Sequence, residues 1–324
     1  MATSGRVTVT GLTIMYKELF ITTQKSMNLE VYDSTTYSFK RLLRVPKLND
    51  PWDMCSCLQR CCLYIANGQI SNEHLRFNIH VHSRIFIDEN ITSNNGKILR
   101  VDKAGNLQHS WKIGDDYGTL SITLEGNVIL TVPVRGKIVE YDTNGGCLRE
   151  IIISTDLNLK EISFSAKPAV SISTRIICPR QSEKLSTGNF VINYFICENY
   201  LNVPLQIWQR GDNYYYENQA GLCMTDEQGL VIKVFHGNGG TGFGELGEPW
   251  YFAVDKDQAV LVLERSNRIC LLNPNLDFRR GLVSKEQGSS NFYKMCLDEA
   301  NGRLLVSQSE TTNDQVLVYE VKTL

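Results

Sequence analysis

The sequence predicts an all-β protein of one domain, a six-bladed β-propeller whose N-terminal strand closes the last blade. Three observations predict it: a strand pair that recurs behind Pro-Trp, a recurring Asp-x-x-Gly turn, and the spacing of those turns. PWDMCSCLQRCCLYIAN (51–67) aligns without gaps with PWYFAVDKDQAVLVLER (249–265), and MCLDEANGRLLVSQ (295–308) repeats the pattern. In each, an alternating strand, a short turn and a second apolar strand follow one another. GKILRVDKAGNLQHSW (from Gly96), GKIVEYDTNGGCLREI (from Gly136) and GLCMTDEQGLVIKVF (from Gly221) each place a turn between two further strands. Asp accepts from amides further along the turn and Gly supplies positive φ, so the turn has a mechanism. Asp33, Asp102, Asp142, Asp226 and Asn273 fall 69, 40, 84 and 47 residues apart. A period of about 40–47 residues fits four short strands per blade, and the two long gaps are one period plus an insertion.

Taken in order, blade one spans 11–45, with strands near 12–15, 19–23, 29–33 and 39–43. Blade two (51–113) holds an insertion at about 71–95. Blade three (119–154) is the most compact, and blade four (155–235) holds the second insertion, about 198–219. Blade five covers 237–282. Blade six (291–321) supplies three strands, and Arg6–Thr10, RVTVT, is an alternating strand left over before blade one. Placed fourth in blade six, it would close the ring and cover open sheet edges.

Composition sets limits. With 33 basic and 35 acidic residues, net charge −2, the total predicts neither a nucleic-acid nor an anionic-membrane partner. No window approaches a membrane-spanning length of apolar residues. MATSGRVTVT lacks a basic stretch leading into an apolar one, so no secretion signal is expected. Ten cysteines then read as reduced thiols, and the expected location is cytoplasmic.

Gly237, Gly239 and Gly242 spell G-x-G-x-x-G, but Pro249 and a strand follow where a dinucleotide fingerprint needs a helix, so they read as a loop into a blade. Cys55, Cys57, Cys61 and Cys62 lie on paired strands in a pattern unlike spaced zinc-binding pairs, and read as buried thiols. His80 and His82 stand at strand spacing and could reach one metal, but no motif links them to His74, His109 or His236, and they read as surface polar residues. The inner strands offer Asp53, Asp255, Asp298 and Lys294, which do not make a calcium-binding ring. Lys40, Arg41, Arg44 and Lys47, with Arg279, Arg280 and Lys285, form basic clusters that read as rim charge, with RNA binding as the rival reading. Tyr200, Trp208, Tyr214, Tyr215 and Tyr216 crowd the second insertion. Exposed Tyr and Trp make interface hot spots, so these five are the candidate partner-binding residues, the alternative being that they fold over their own blade.

GNGGTGFGELGEPWYFAVDKDQAVLVLERSNRICLLNP (from Gly237) and MCLDEANGRLLVS (from Met295) resemble the NHL-repeat family of six-bladed propellers. Gly240, Gly242, Gly244, Pro249, Asp255, Asn267, Arg268 and Ile269 match its pattern, whereas Glu264 stands where the family usually has Asp. In that family such propellers form the protein- or RNA-binding C-terminal domains of tripartite-motif ubiquitin ligases. RING, B-box and coiled-coil segments are not represented in these residues, so ligase activity is not implied. The expected function is a non-enzymatic scaffold for a protein or peptide partner, with no cofactor and no membrane partner. The alternatives are an RNA-binding propeller and a metal-dependent propeller hydrolase or lyase.

Overall fold

A computed structural model describes residues 8–68, 96–114, 118–153, 174–199, 220–236, 249–264, 266–284, 291–309 and 314–321. These form six antiparallel sheets arranged as a six-bladed β-propeller. Blade one is β1 (Val9–Met15), β2 (Glu18–Thr23), β3 (Asn28–Asp33) and β4 (Phe39–Arg44). Blade two is β5 (Pro51–Cys57), β6 (Cys62–Asn67), β7 (Gly96–Asp102) and β8 (Leu107–Gly114). Blade three is β9 (Thr119–Ile122), β10 (Val128–Val132), β11 (Lys137–Tyr141) and β12 (Cys147–Ile152). Blade four is β13 (Thr174–Lys184), β14 (Phe190–Asn199), β15 (Ala220–Thr225) and β16 (Val231–His236). Blade five is β17 (Pro249–Val254), β18 (Val260–Glu264), β19 (Arg268–Leu272) and β20 (Phe278–Ser284). Blade six contributes β21 (Asn291–Asp298), β22 (Arg303–Ser309) and β23 (Asp314–Glu320). No helix among the described residues is long and apolar enough to cross a membrane.

Burial along each blade explains the residue choice. Second strands are sandwiched between neighbouring sheets, so β6, β10 and β18 are buried at every position and carry runs such as CLYIAN and VILTV. Outer strands β4 and β12 are largely exposed. The core is a set of inter-blade layers. Phe20 and Val31 of blade one pack with Leu63 and Leu99 of blade two, and the pattern continues around the ring. It closes where Leu305 and Val316 of blade six meet Leu12 and Ile21 of blade one.

The turn aspartates work as their spacing predicts. Oδ1 of Asp102, Asp142 and Asp226 each accepts amides two and four residues on, at 2.7–2.9 Å. Asn273 does the same, and Asp33 accepts from Thr35 and Thr36. Gly145, at φ +82°, sits under Trp111, and a Cβ there would come within 2.4 Å of that ring.

Two details depart from the expected arrangement. The inner strand of blade four, read from sequence at 169–175, is β13, which runs on to Lys184. Gly188-Asn189-Phe190-Val191 repeats the Gly126-Asn127-Val128-Ile129 of blade three, and that match sets the true register. Of the expected closing strand, Val9 and Thr10 belong to β1, with Val9 opposite Thr23 of β2; both are buried, and Val9 packs in the layer between blades six and one. Residues 1–7 lie outside the described residues. Val9 N–H donates to Asp314 Oδ2 at 2.8 Å, at the start of β23. An antiparallel strand laid on the outer edge of β23 would end beside Asp314.

Connectivity separates the two ends of the ring. The turns between first and second strands, and between third and fourth, share one end, here the hairpin end. The connections between second and third strands and between blades share the other, the entry end. Both insertions leave and rejoin at the entry end, between Asn67 and Gly96 and between Asn199 and Ala220.

Candidate functional site at the central channel

Inner strands β1, β5, β9, β13, β17 and β21 contact one another in sequence around a central channel. Five of them shift register near the entry end, at Val9/Gly11, Pro51/Asp53, Pro179/Gln181, Pro249/Tyr251 and Phe292/Lys294. A bulge leaves one residue out of the ladder and re-aims its side chain. The skipped residues include Trp52, Arg180 and Trp250, so the Pro-Trp repeat marks a structural device at the channel mouth. Trp52 Nε1 donates to the Gly118 carbonyl at 3.0 Å, and the Arg180 guanidinium lies 4.4 Å from the Trp250 ring centroid.

Below the mouth, Lys294 Nζ donates to Asp53 Oδ1 at 2.8 Å and sits 4.8 Å from the Tyr251 ring centroid. Asp53 Oδ2 accepts the Leu120 amide at 2.7 Å. Gln181 forms two bonds with one residue of the next blade: Nε2 donates to the Phe252 carbonyl at 2.7 Å, and Oε1 accepts the Phe252 amide at 3.0 Å. A side chain thus imitates a rung of β-ladder between β13 and β17. Gln181 Nε2 also lies 3.2 Å from Glu183 Oε1. Thr119 and Ser121 donate to the carbonyls of Arg180 and Ser182, both at 2.7 Å. Inner strands are therefore stitched blade to blade by side chains bonding to backbone.

Burial governs titration here. It raises the Glu183 carboxyl to about 8, against partial opposition from the Val254 amide and Gln181. Burial also pushes Tyr251 and Cys55 well above their ordinary values, with the Asp53 charge adding to both, and takes Cys296 up to about 12. The two channel thiols stay protonated and are not activated nucleophiles. Near neutral pH Glu183 is largely a neutral acid, able to donate as well as accept. The channel offers hydrogen-bonding groups and aromatic faces, a chemistry of recognition.

The sequence candidates fall in different places. Asp255 and Asp298 are turn caps at the hairpin end, accepting Ala259 N at 2.7 Å and Asn301 N at 3.3 Å, so only Asp53 and Lys294 come together. Among the described residues no group of three His, Cys, Asp or Glu converges to hold a metal. Cys57 and Cys62 are buried and Cys55 is half-buried, but Cys61 is an exposed turn residue at φ +51° rather than the start of a strand. Arg41 grips Glu18 through both Nη atoms at 2.6 and 2.9 Å and also donates to the Lys103 carbonyl of blade two at 3.3 Å, while Lys40 joins Glu18 at 3.1 Å, so these two rim cations are engaged by the ring itself. Tyr200, Trp208, Tyr214, Tyr215, Tyr216, His80 and His82 lie outside the described residues. Sequence reasoning missed Arg180, Gln181 and Glu183 through the misplaced strand of blade four; the Gly-Asn repeat could have found them.

No family model matches the chain, and no curated protein matches it in sequence. Solved structures do share its fold. Hydrazine synthase of Kuenenia stuttgartiensis is similar at 14% identity over 95% of this chain and 78% of that one, with a TM-score of 0.54. YCF48 bound to D1 peptide is similar at 11% identity over 98% and 79%, with a TM-score of 0.50. A protein of unknown function from Bacteroides caccae is similar at 9% identity over 86% and 82%, also at 0.50. At these identities the likeness is one of fold. It is a propeller likeness.

Proposed function

We propose that this chain is a non-enzymatic, NHL-like binding platform that holds a protein or peptide partner at its entry end. The observation carrying this reading is the channel mouth. Repeated bulges present Trp52, Arg180 and Trp250 there, while the titratable groups below are ion-paired or held protonated. Rigid aromatic side chains with an arginine are the composition of a binding hot spot, and loops on a rigid scaffold set specificity. The second insertion, with Tyr200, Trp208, Tyr214, Tyr215 and Tyr216, joins the ring at this same end and would extend the surface. YCF48, a propeller of similar fold, is described with a peptide bound. The proposed location is cytoplasmic.

The test is purification of the tagged protein from its own cells, with and without RNase, beside Trp208→Ala and Trp250→Ala variants. A set of proteins that survives RNase and is lost from both variants supports the platform. Recovery that depends on RNA and falls steeply with salt would replace it with the RNA reading.

A further inference from the structure

The hairpin end of the ring carries a second surface. Tyr16, Leu58 and Leu124, at the inner hairpin turns of blades one, two and three, are 53, 57 and 59% exposed. The three turns touch. Tyr16 Oη donates to the Leu58 carbonyl at 3.4 Å and lies 2.5 Å from Cys61 Sγ, and Gln59 Nε2 donates to the Leu124 carbonyl. The apolar side chains therefore form one tract around half of the channel rim. The tract stops at blade four, where Leu185 turns inward to 4% exposure.

Charge is zoned around it. Lys17 and Arg60 stand exposed on the turns of blades one and two, and neither forms an ion pair among the described residues. Glu125, Asp257 and Glu299 stand exposed on the turns of blades three, five and six, with Lys256 exposed beside Asp257. On these inner turns exposed cations and carboxylates balance, so the face has no net positive charge to draw an anionic bilayer or a nucleic-acid backbone. The zoning leaves room for a ligand whose own negative charge is confined to one end.

We propose that this tract docks an amphipathic segment of another protein. Its apolar side chains cover Tyr16, Leu58 and Leu124, and its acidic residues face Lys17 and Arg60. The proposal rests on the platform reading and adds a docking surface at the end opposite the insertions, so one ring would hold two partners at once.

The experiment pans a phage-displayed library of random peptides on the full chain and measures the enriched peptides by fluorescence polarisation. Variants are Leu58→Ser/Leu124→Ser, Lys17→Glu/Arg60→Glu and Trp250→Ala. All the hairpin substitutions are at exposed positions, and an unchanged melting curve confirms that the ring is intact. The expected peptides carry clustered apolar residues beside Asp or Glu. They bind at least about tenfold more weakly to both hairpin variants and equally well to Trp250→Ala. Peptides that lose binding only to Trp250→Ala would sink this surface while keeping the platform. No enriched peptide on any form would sink both. Dimerisation of the native chain that disappears in Leu58→Ser/Leu124→Ser would assign the tract to a second copy instead and overturn the proposal.

Discussion

Lys294 Nζ lies 2.8 Å from Asp53 Oδ1, joining the inner strand of blade six to that of blade two past the strand of blade one between them. The carboxylate side chain is 1% exposed and the ammonium side chain 10%, so neither charge has water to fall back on. Removing one partner of such a pair leaves a buried charge and costs about 3–5 kcal/mol. Lys294→Met is expected to lower stability by that amount in urea denaturation, and Lys294→Met/Asp53→Asn to recover part of it. A single variant with native stability would show that the pair does not bind the ring together.

Glu183 predicts a pH dependence with a definite sign. Its folded value of about 8 lies above the ordinary carboxyl value of 4.5, so the unfolded chain releases this proton first. The contribution to stability is complete below about pH 4.5 and is lost as pH rises towards 8. The groups coupled to this carboxyl are Tyr251, Cys55 and Cys296, all held protonated over that range. Glu183→Gln should therefore gain on the native protein by on the order of a few kcal/mol between pH 5 and pH 8. Parallel stability curves for the two forms would contradict this.

The N-terminal residues are expected to be structural. Val9 is 1% and Thr10 3% exposed, and Thr10 Oγ1 lies 3.2 Å from Thr22 Oγ1. Deleting residues 1–10 removes these contacts, the Val9–Asp314 bond and the strand expected to close blade six. The loss should be about 3 kcal/mol or more, spread over the whole ring as one lowered transition. Unchanged melting after the deletion would make this segment a tail.

Gly145 needs both its positive φ and its missing side chain. Gly145→Val places a β-branched residue at φ +82° and drives atoms into Trp111, for an expected cost of about 2–4 kcal/mol. Gly281→Ala, where nothing lies within 4 Å, is the control and should change stability little.

Much of the fold was legible because its devices are local. An Asp that accepts amides two and four residues on writes itself into sequence as Asp-x-x-Gly. A second strand buried on both faces writes itself as an unbroken apolar run such as VILTV. The candidate site was less legible. Trp52 and Trp250 could be seen as a repeat, but Arg180 occupies the equivalent bulge in blade four behind the same Pro but without the Trp, and the strand that carries it was read too early. Asp53 and Lys294 were both visible as inner-strand charges, yet residues 241 apart in sequence give no sign that they are partners.

The sequence by itself determined the number of blades, the turns and the strand order, since each follows from interactions within a few tens of residues. Tertiary structure alone decided which polar side chains face one another across the ring. That choice pairs Lys294 with Asp53, lets Gln181 serve as a rung to Phe252, keeps Glu183 neutral, and gathers Tyr16, Leu58 and Leu124 on one end. Its physical reason is the closure of the ring, which brings distant strands to a common axis and removes water from the groups that meet there.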